Sequence, residues 1–289
     1  MQAQAPAPNP YRSLDGWAQL PNGIQLGQVS GVELDARGNV WVIHRSDPPI
    51  LEFDPSGTFL RSVGAGMFVQ PHSIHFDRDG NLWAVDGDGK AGVGHQVLKF
   101  TPEGRLLLTL GRGGVAGDGP DTFNRPADVV TAANGDVFVA DGHVNARVVK
   151  FDAGGRYITA WGTKGSGPGQ LDTPHSIAID SRGRVIVGDR GNNRIQIFDQ
   201  NGHYLEQWTQ FGRPTGLFVA PDDTLYVADD ESNPERNPGK TPGIYVGSAV
   251  DGSVKAFIPA MSTERAVADK AGNVYAAVLA GRTVRKYER

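Results

Sequence analysis

The sequence predicts an all-β fold, a six-bladed propeller of four-stranded antiparallel blades. Three observations predict it. A strand–turn–strand motif recurs six times along the chain. Its copies are spaced at blade length, and each is followed by one or two further short strands. Glycine is abundant, 39 of 289 residues, and falls in the turns between those strands.

The fourth unit, residues 170–208, shows the pattern most plainly. It reads QLDTPHSIAID, SRG, RVIVGD, RGNN, RIQIFD, QNG, HYLEQW. Four short apolar or alternating runs are separated by turn residues, which is the pattern of a four-stranded meander. The six copies of the first two strands begin at Gly31, His72, Ala127, His175, Thr215 and Glu264. The turn between them starts at Asp35, Asp77, Ala132, Asp180, Ala220 and Asp269, at successive spacings of 42, 55, 48, 40 and 49 residues. Third strands follow as ILEFD, QVLKF, RVVKF, RIQIF, GIYVGS and TVRKYER, and fourth strands as TFLRSV, RLLLTL, RYITAW, HYLEQW and SVKAFI. The sixth copy reaches Arg289 after only three strands. An N-terminal strand is expected to close that blade and pair its edge. Residues 16–20 (GWAQL) are the expected donor. Residues 1–16 then read as a flexible tail and 17–289 as the propeller domain. Trp41, Trp83, Trp161 and Trp208 lie on strands and read as core between blades.

Composition narrows the function. The net charge is −4, and no basic stripe marks a nucleic-acid surface. No apolar run approaches a membrane span. The chain has no cysteine, which excludes disulfides and thiolate metal sites. Residues 1–10 (MQAQAPAPNP) are small and Pro-rich, and disorder is expected there. The Ala3-Gln4-Ala5 triplet suits the end of a signal-peptide cleavage site. A secreted or periplasmic location follows as an expectation.

Chemistry is expected where the blades differ. The innermost strand of each blade lines the central channel, so residues opening the first strands ring its mouth. That ring reads Ser30, His72, Ala127, His175, Thr215, Glu264. His72, His175 and Glu264 fall on alternate blades, 120° apart in a six-fold ring. Two imidazoles and a carboxylate converging on an axis make a metal site with free coordination positions, suited to Zn²⁺ or to Fe²⁺ or another divalent transition metal. Arg45 and Arg190 each follow a second strand on the same face, where a guanidinium can grip a carboxylate. His143, in the DGHVNARV turn of the third blade, is placed to act as a base. His44 and His75 read as structural, and His95 and His203 as turn residues without a visible partner. Glycine-rich insertions at 87–95, 111–121, 163–170 and 231–243 join strands at this face and are expected to wall a cleft.

The six motifs resemble the NHL repeat. The runs SGVELDARGNVWVIHR, RPADVVTAANGDVFVADGHVNARVVKFDAGGRYITAWG and GQLDTPHSIAIDSRGRVIVGDRGNNRIQIFD further resemble the peptidyl-α-hydroxyglycine α-amidating lyases. The resemblance implies a zinc held by channel histidines, two of which map onto His72 and His175. The third maps onto Glu264, a departure. Arg45 and Arg190 match the family's active-site arginines, and His143 stands where the family has a tyrosine base. Arg265 stands where the family has a calcium-binding aspartate, so a cationic side chain replaces a cation's ligand. The resemblance implies C–N cleavage of an α-hydroxyglycine, releasing an amide and glyoxylate, on a small-molecule or peptide substrate with a carboxylate. The alternatives carried by the same sequence are a non-catalytic propeller that binds a protein partner, and a metal-dependent hydrolase or lactonase.

Overall fold

The computed structural model describes residues 7–289. The Ala3-Gln4-Ala5 triplet lies outside the described residues. A first short strand, β1 (Arg12–Leu14), precedes five blades in chain order. Blade one is β2 (Val29–Leu34), β3 (Val40–His44), β4 (Ile50–Phe53) and β5 (Phe59–Val63). Blade two is β6 (Pro71–Phe76), β7 (Leu82–Lys90), β8 (Val93–Phe100) and β9 (Leu106–Leu110). Blade three is β10 (Asp128–Thr131), β11 (Val137–Asp141), β12 (Arg147–Phe151) and β13 (Tyr157–Trp161). Blade four is β14 (Pro174–Ile179), β15 (Val185–Asp189), β16 (Arg194–Phe198) and β17 (Tyr204–Trp208). Blade five is β18 (Gly216–Val219), β19 (Thr224–Asp229), β20 (Gly243–Ser248) and β21 (Val254–Pro259). Blade six is β22 (Thr263–Ala268), β23 (Val274–Val278) and β24 (Thr283–Glu288), completed by β1 on the outside of β24. Among the described residues no helix is long and apolar enough to cross a membrane.

The closing strand differs from the sequence expectation. Arg12–Leu14, not residues 16–20, pairs antiparallel with Lys286–Glu288. It lies inside the stretch assigned to the tail. Trp17 instead acts as a plug: its ring meets Tyr275 edge-on at 5.2 Å and Phe53 at 5.8 Å, joining the last blade to the first. An aromatic flanked by apolar residues therefore looked like a strand and is a packing anchor.

Local chemistry sets each blade. In four blades the aspartate after the first strand accepts two backbone N–H groups of its own turn, as Asp35 does from Arg37 and Asn39 and Asp180 from Arg182 and Arg184. A second aspartate, at the end of the second strand, holds the segment leading into the first. Asp86 accepts from Val69 and Gln70, Asp141 from Asn124, Asp189 from Asp172 and Asp229 from Arg213. Blade one uses His44 for this, its Nδ1 accepting the Gly27 N–H at 3.1 Å. His44 is thus a latch. His95 is also a latch: it is buried and accepts the Arg125 N–H at 3.2 Å, a partner the sequence did not show. His203 is exposed and pairs with Asp199. The apolar core is six clusters, one at each junction between blades, and Trp41, Trp83 and Trp208 are buried within them.

One glycine shows how tightly the ring is closed. Gly57 has φ of 92°, and a Cβ there would lie 1.9 Å from the Trp17 carbonyl oxygen. Gly38 has a similar φ of 86° but no neighbour closer than 4.0 Å. Gly57→Ala is expected to destabilise by about 2–3 kcal/mol, and Gly38→Ala by about 1 kcal/mol, the cost of the backbone conformation alone. Equal losses in urea titrations of the two variants would contradict this account of the closure.

Candidate metal centre

A register irregularity delivers the site residues. In blades one, two, four and six the pairing of the first two strands skips one residue near the start. The skipped residues are Ser30, His72, His175 and Glu264. A bulge re-aims the side chain of the unpaired residue, here toward the channel mouth. In blades three and five the pairing begins at Asp128 and Gly216, and Ala127 and Thr215 just before them donate N–H to the Ala140 and Ala228 carbonyls. Their own carbonyls face sideways to the neighbouring blades. The Ala127 oxygen accepts from His72 Nδ1 at 2.7 Å, and the Thr215 oxygen accepts from His175 Nδ1 at 2.7 Å. His143 Nδ1 donates likewise to the Arg125 oxygen at 3.1 Å.

Three hydrogen bonds of one kind settle three tautomers. A carbonyl only accepts, so each Nδ1 carries the proton and each Nε2 carries a lone pair. The three imidazoles stand edge to face, with ring centroids 4.7 to 5.0 Å apart. Their ligand nitrogens lie within 4.8 Å of one another. Glu264 Oε1 is 3.7 Å from His72 Nε2 and 3.5 Å from His175 Nε2. The structure therefore brings together all three predicted ligands, and it adds His143 as a third imidazole. His143 was expected as a base, and its position also permits ligation.

Electrostatics favour the neutral imidazoles that a metal needs and oppose ionisation of the carboxyl beside them. Burial, then repulsion from neighbouring cations and imidazoles, holds His72 and His175 well below the usual imidazole range. Burial, then the Arg190 charge, lowers His143 to about 4. Neutral imidazoles cannot form salt bridges, so the contacts to Glu264 are not ion pairs. Burial, then repulsion from Asp230, raises Glu264 to about 8, against the pull of Arg190 and Arg45. A buried carboxyl and three imidazole lone pairs face one another, and the proton that Glu264 retains below about pH 8 is the one a metal would displace. His72 Nε2 is buried and has no hydrogen-bond partner. A void of about 10 Å³ beside His72, His175 and Glu264 has the space of a single small guest. Such a donor set, each imidazole fixed by a backbone carbonyl, fits a divalent transition metal.

The arginines ring this centre. Arg45 Nη1 donates to Gln28 Oε1 at 3.1 Å, and Arg190 Nη1 lies 3.8 Å from Glu231 Oε1. The Nε of each is buried without a partner. Sequence reading missed Arg125 and Asp230. Arg125 sits on the loop entering blade three, within reach of Gln70 and Gly87. Asp230 follows the latch Asp229, at the position occupied by Arg45 and Arg190 in their blades. That repeat position was the available signal. Arg265 turns away from Glu264. Its Nη1 is 2.7 Å from Asp128 Oδ2, and its Nη2 is 3.5 Å from Glu33 Oε2. A buried guanidinium thus plugs the channel below the metal centre.

The NHL repeat model matches residues 123–151 and 171–198. The mouse peptidyl-glycine alpha-amidating monooxygenase is 37% identical over 61% of this chain, which spans 21% of that protein's length. A probable peptidyl-alpha-hydroxyglycine alpha-amidating lyase of Caenorhabditis elegans is 33% identical over 60% of this chain and 56% of its own length. The human NHL repeat-containing protein 3 is 32% identical over 96% of this chain and 84% of its own length. Among solved structures, a streptogramin B lyase shares the fold with a TM-score of 0.64, at 16% identity, over 96% of this chain and 97% of its own. The chain belongs to the NHL-repeat family of six-bladed propellers, alongside NHL repeat-containing protein 3, and is related to the peptidyl-alpha-hydroxyglycine alpha-amidating lyases.

Proposed function

We propose that this chain is a metal-dependent lyase that cleaves the C–N bond of an N-acyl-α-hydroxyglycine or a close analogue. The observation that carries the reading is the convergence of three imidazole lone pairs, each fixed by an Nδ1–H bond to a backbone carbonyl, beside the buried Glu264. His72, His175 and Glu264 would hold the ion in this reading, and the Nε2 lone pair of His143 beside them is kept free as the base. Zn²⁺, or Fe²⁺ in its place, supplies a Lewis acid to the substrate hydroxyl when bound.

The chain's own residues do the rest. Arg45 and Arg190 bind the substrate carboxylate through guanidinium nitrogens that lack a protein partner. His143 is neutral above about pH 4 and presents an Nε2 lone pair, so it can accept the hydroxyl proton. The Arg125 carbonyl keeps the imidazolium oriented once the proton arrives. The hydroxyl oxygen's electron pair forms the aldehyde C=O as the C–N bond breaks. The amide nitrogen takes the proton back, so the products are an amide and glyoxylate with no net proton change.

Glyoxylate release from an N-acyl-α-hydroxyglycine by metal-replete protein tests the substrate. No release, with a stoichiometric ion bound, would sink the substrate assignment and leave the metal centre standing. The proposal includes a secreted or periplasmic location, which fractionation of the producing cells checks.

Metal binding should depend on pH with a definite sign. The imidazoles are neutral above pH 6, so they offer no proton competition. Glu264, raised to about 8, must lose its proton to ligate. Affinity is therefore expected to rise roughly tenfold per pH unit between pH 6 and 7, with about one proton released per ion. Calorimetry in buffers of different ionisation enthalpy reads that number. In Glu264→Gln the pH dependence should vanish.

A further inference from the structure

The mouth of the channel carries a third guanidinium, set against blade two. The residue after the latch is Arg45 in blade one and Arg190 in blade four, but Gly87 in blade two. Gly87 brings no side chain, and Arg125 reaches across it from the next blade, its Nε 3.4 Å from the Gly87 oxygen. Gly87 in turn lies against His72: a Cβ there would stand 3.4 Å from the His72 Cβ and Cδ2. The Arg125 guanidinium is thus one residue's width from a proposed ligand of the ion.

The root of this side chain is fixed. Arg125 has φ of 59°, in the left-handed region. His95 Nδ1 accepts its N–H at 3.2 Å, and its carbonyl accepts both the N–H of His143 at 3.2 Å and the Nδ1–H at 3.1 Å. The guanidinium itself is held by neutral groups. It donates from Nη2 to Gln70 Oε1 at 3.3 Å, as Arg45 Nη1 donates to Gln28 Oε1 at 3.1 Å. The two glutamines are equivalent in the repeat, since each backbone carbonyl accepts the N–H of the residue after the latch, Arg45 or Gly87. Among the described residues the one carboxylate within ion-pair distance of Arg125 is Asp88, 4.0 Å away and itself half-exposed. A neutral amide orients a guanidinium and leaves its charge uncompensated.

Charge at the mouth is therefore polarised. After burial, the charges of Arg190, Arg125 and Arg45 all act on His143, so three guanidiniums surround one ring. Blade five presents Asp230 instead, whose charge acts on Glu264. Glu231 beside it is taken by Arg213 at 2.8 Å and Arg236 at 3.3 Å. One substrate carboxylate occupies Arg45 and Arg190 and leaves Arg125 over. Depth separates the two places: the Arg190 side chain is 15% exposed and that of Arg125 39%. With the carboxylate end of the substrate deep, its acyl end lies outward, at the level of Arg125.

We infer that Arg125 is a specificity-determining residue, and that the preferred substrate carries a second carboxylate on its acyl side. This role rests on the lyase reading for the way the substrate lies, and it narrows the substrate class to an α-hydroxyglycine preceded by an acidic residue.

N-acetyl-glutamyl-glycine and N-acetyl-glutaminyl-glycine match in length and differ in one charge. Lacking the hydroxyl, they are not cleaved, so they serve as probes. Titration calorimetry on the metal-loaded chain at low salt reads their affinities. The acidic peptide is expected to bind about tenfold more tightly. Its advantage should shrink with added salt, because Arg125 is half-exposed. Arg125→Gln should bring the two peptides to equal affinity, whereas Arg45→Gln should weaken both. Equal binding of the two peptides to the parent chain, no binding of either at about 10 mM, or an advantage that survives in Arg125→Gln overturns the inference. The comparison on the parent chain decides even where a variant fails to fold. Glyoxylate release from the hydroxylated neutral peptide, with equal binding of the two probes, would remove the role of Arg125 and keep the lyase. Tighter binding of the acidic probe, lost in Arg125→Gln, without glyoxylate release from either hydroxylated peptide would keep the role of Arg125 and sink the lyase.

Discussion

His175→Ala is expected to lower affinity for a divalent transition metal by roughly 100-fold or more, because it removes a direct ligand where loss of a mere orienting partner costs 10–100-fold. The argument rests on one nitrogen. His175 Nε2 lies 3.5 Å from Glu264 Oε1 and within the cluster formed by His72 and His143. Alanine removes that lone pair and leaves the Thr215 carbonyl without its donor. The second loss lowers stability, so affinity must be read on protein shown to be folded. His203→Ala is the control, since His203 is exposed and paired only with Asp199. Isothermal titration with Zn²⁺ on both variants checks the prediction. Wild-type affinity in folded His175→Ala would remove this residue from the ligand set.

Arg265→Ala should destabilise the fold by about 3–5 kcal/mol, the cost of leaving buried carboxylates without their cation. Arg265 is 5% exposed and joins blade six to Asp128 on blade three and Glu33 on blade one. Asp128 Oδ2 also accepts the Ile177 N–H of blade four at 3.0 Å, so one small network ties four of the six blades at the hub. Loss of the guanidinium strands acceptors on two of them, Asp128 on blade three and Glu33 on blade one. Removing the charge on both sides of the shorter contact, in Arg265→Met with Asp128→Asn, should recover part of the loss, because only Glu33 is then left buried without the guanidinium. Thermal unfolding of the single and double variants reads the difference. A single variant as stable as the parent would show that the plug has no structural role.

The blades were legible because each is a local object. An aspartate accepting its own turn's N–H groups, a glycine at positive φ and an apolar run on either side announce a hairpin wherever they occur. His72 and His175 were legible for a related reason. They sit at the same phase of the repeat, and the bulge that re-aims them recurs at that phase. Glu264 followed from the same count, and it too is the residue skipped in its blade's pairing. His143 was found, but its distance to the other two rings was not readable, because it comes from a turn whose reach the repeat does not set. Arg125 was missed because a loop, not a strand phase, places it, and Asp230 was missed although it shares the repeat position of Arg45 and Arg190. His95 looked idle because its partner, the Arg125 N–H, is thirty residues away. The closing strand was misplaced by a few residues since three-residue strands carry almost no periodicity, and Trp17 offered a stronger apolar signal than Arg12–Leu14.

The hub cation is the claim on which the mechanism depends. The most direct measurement is elemental analysis of the purified chain, joined to X-ray absorption at the edge of whichever metal is found. The account predicts one ion per chain, coordinated by imidazole nitrogens and a carboxylate oxygen, with the imidazole count falling by one in His175→Ala. A folded chain that takes up no transition metal after dialysis against Zn²⁺ or Fe²⁺, or one whose bound ion shows no imidazole ligands, would contradict it.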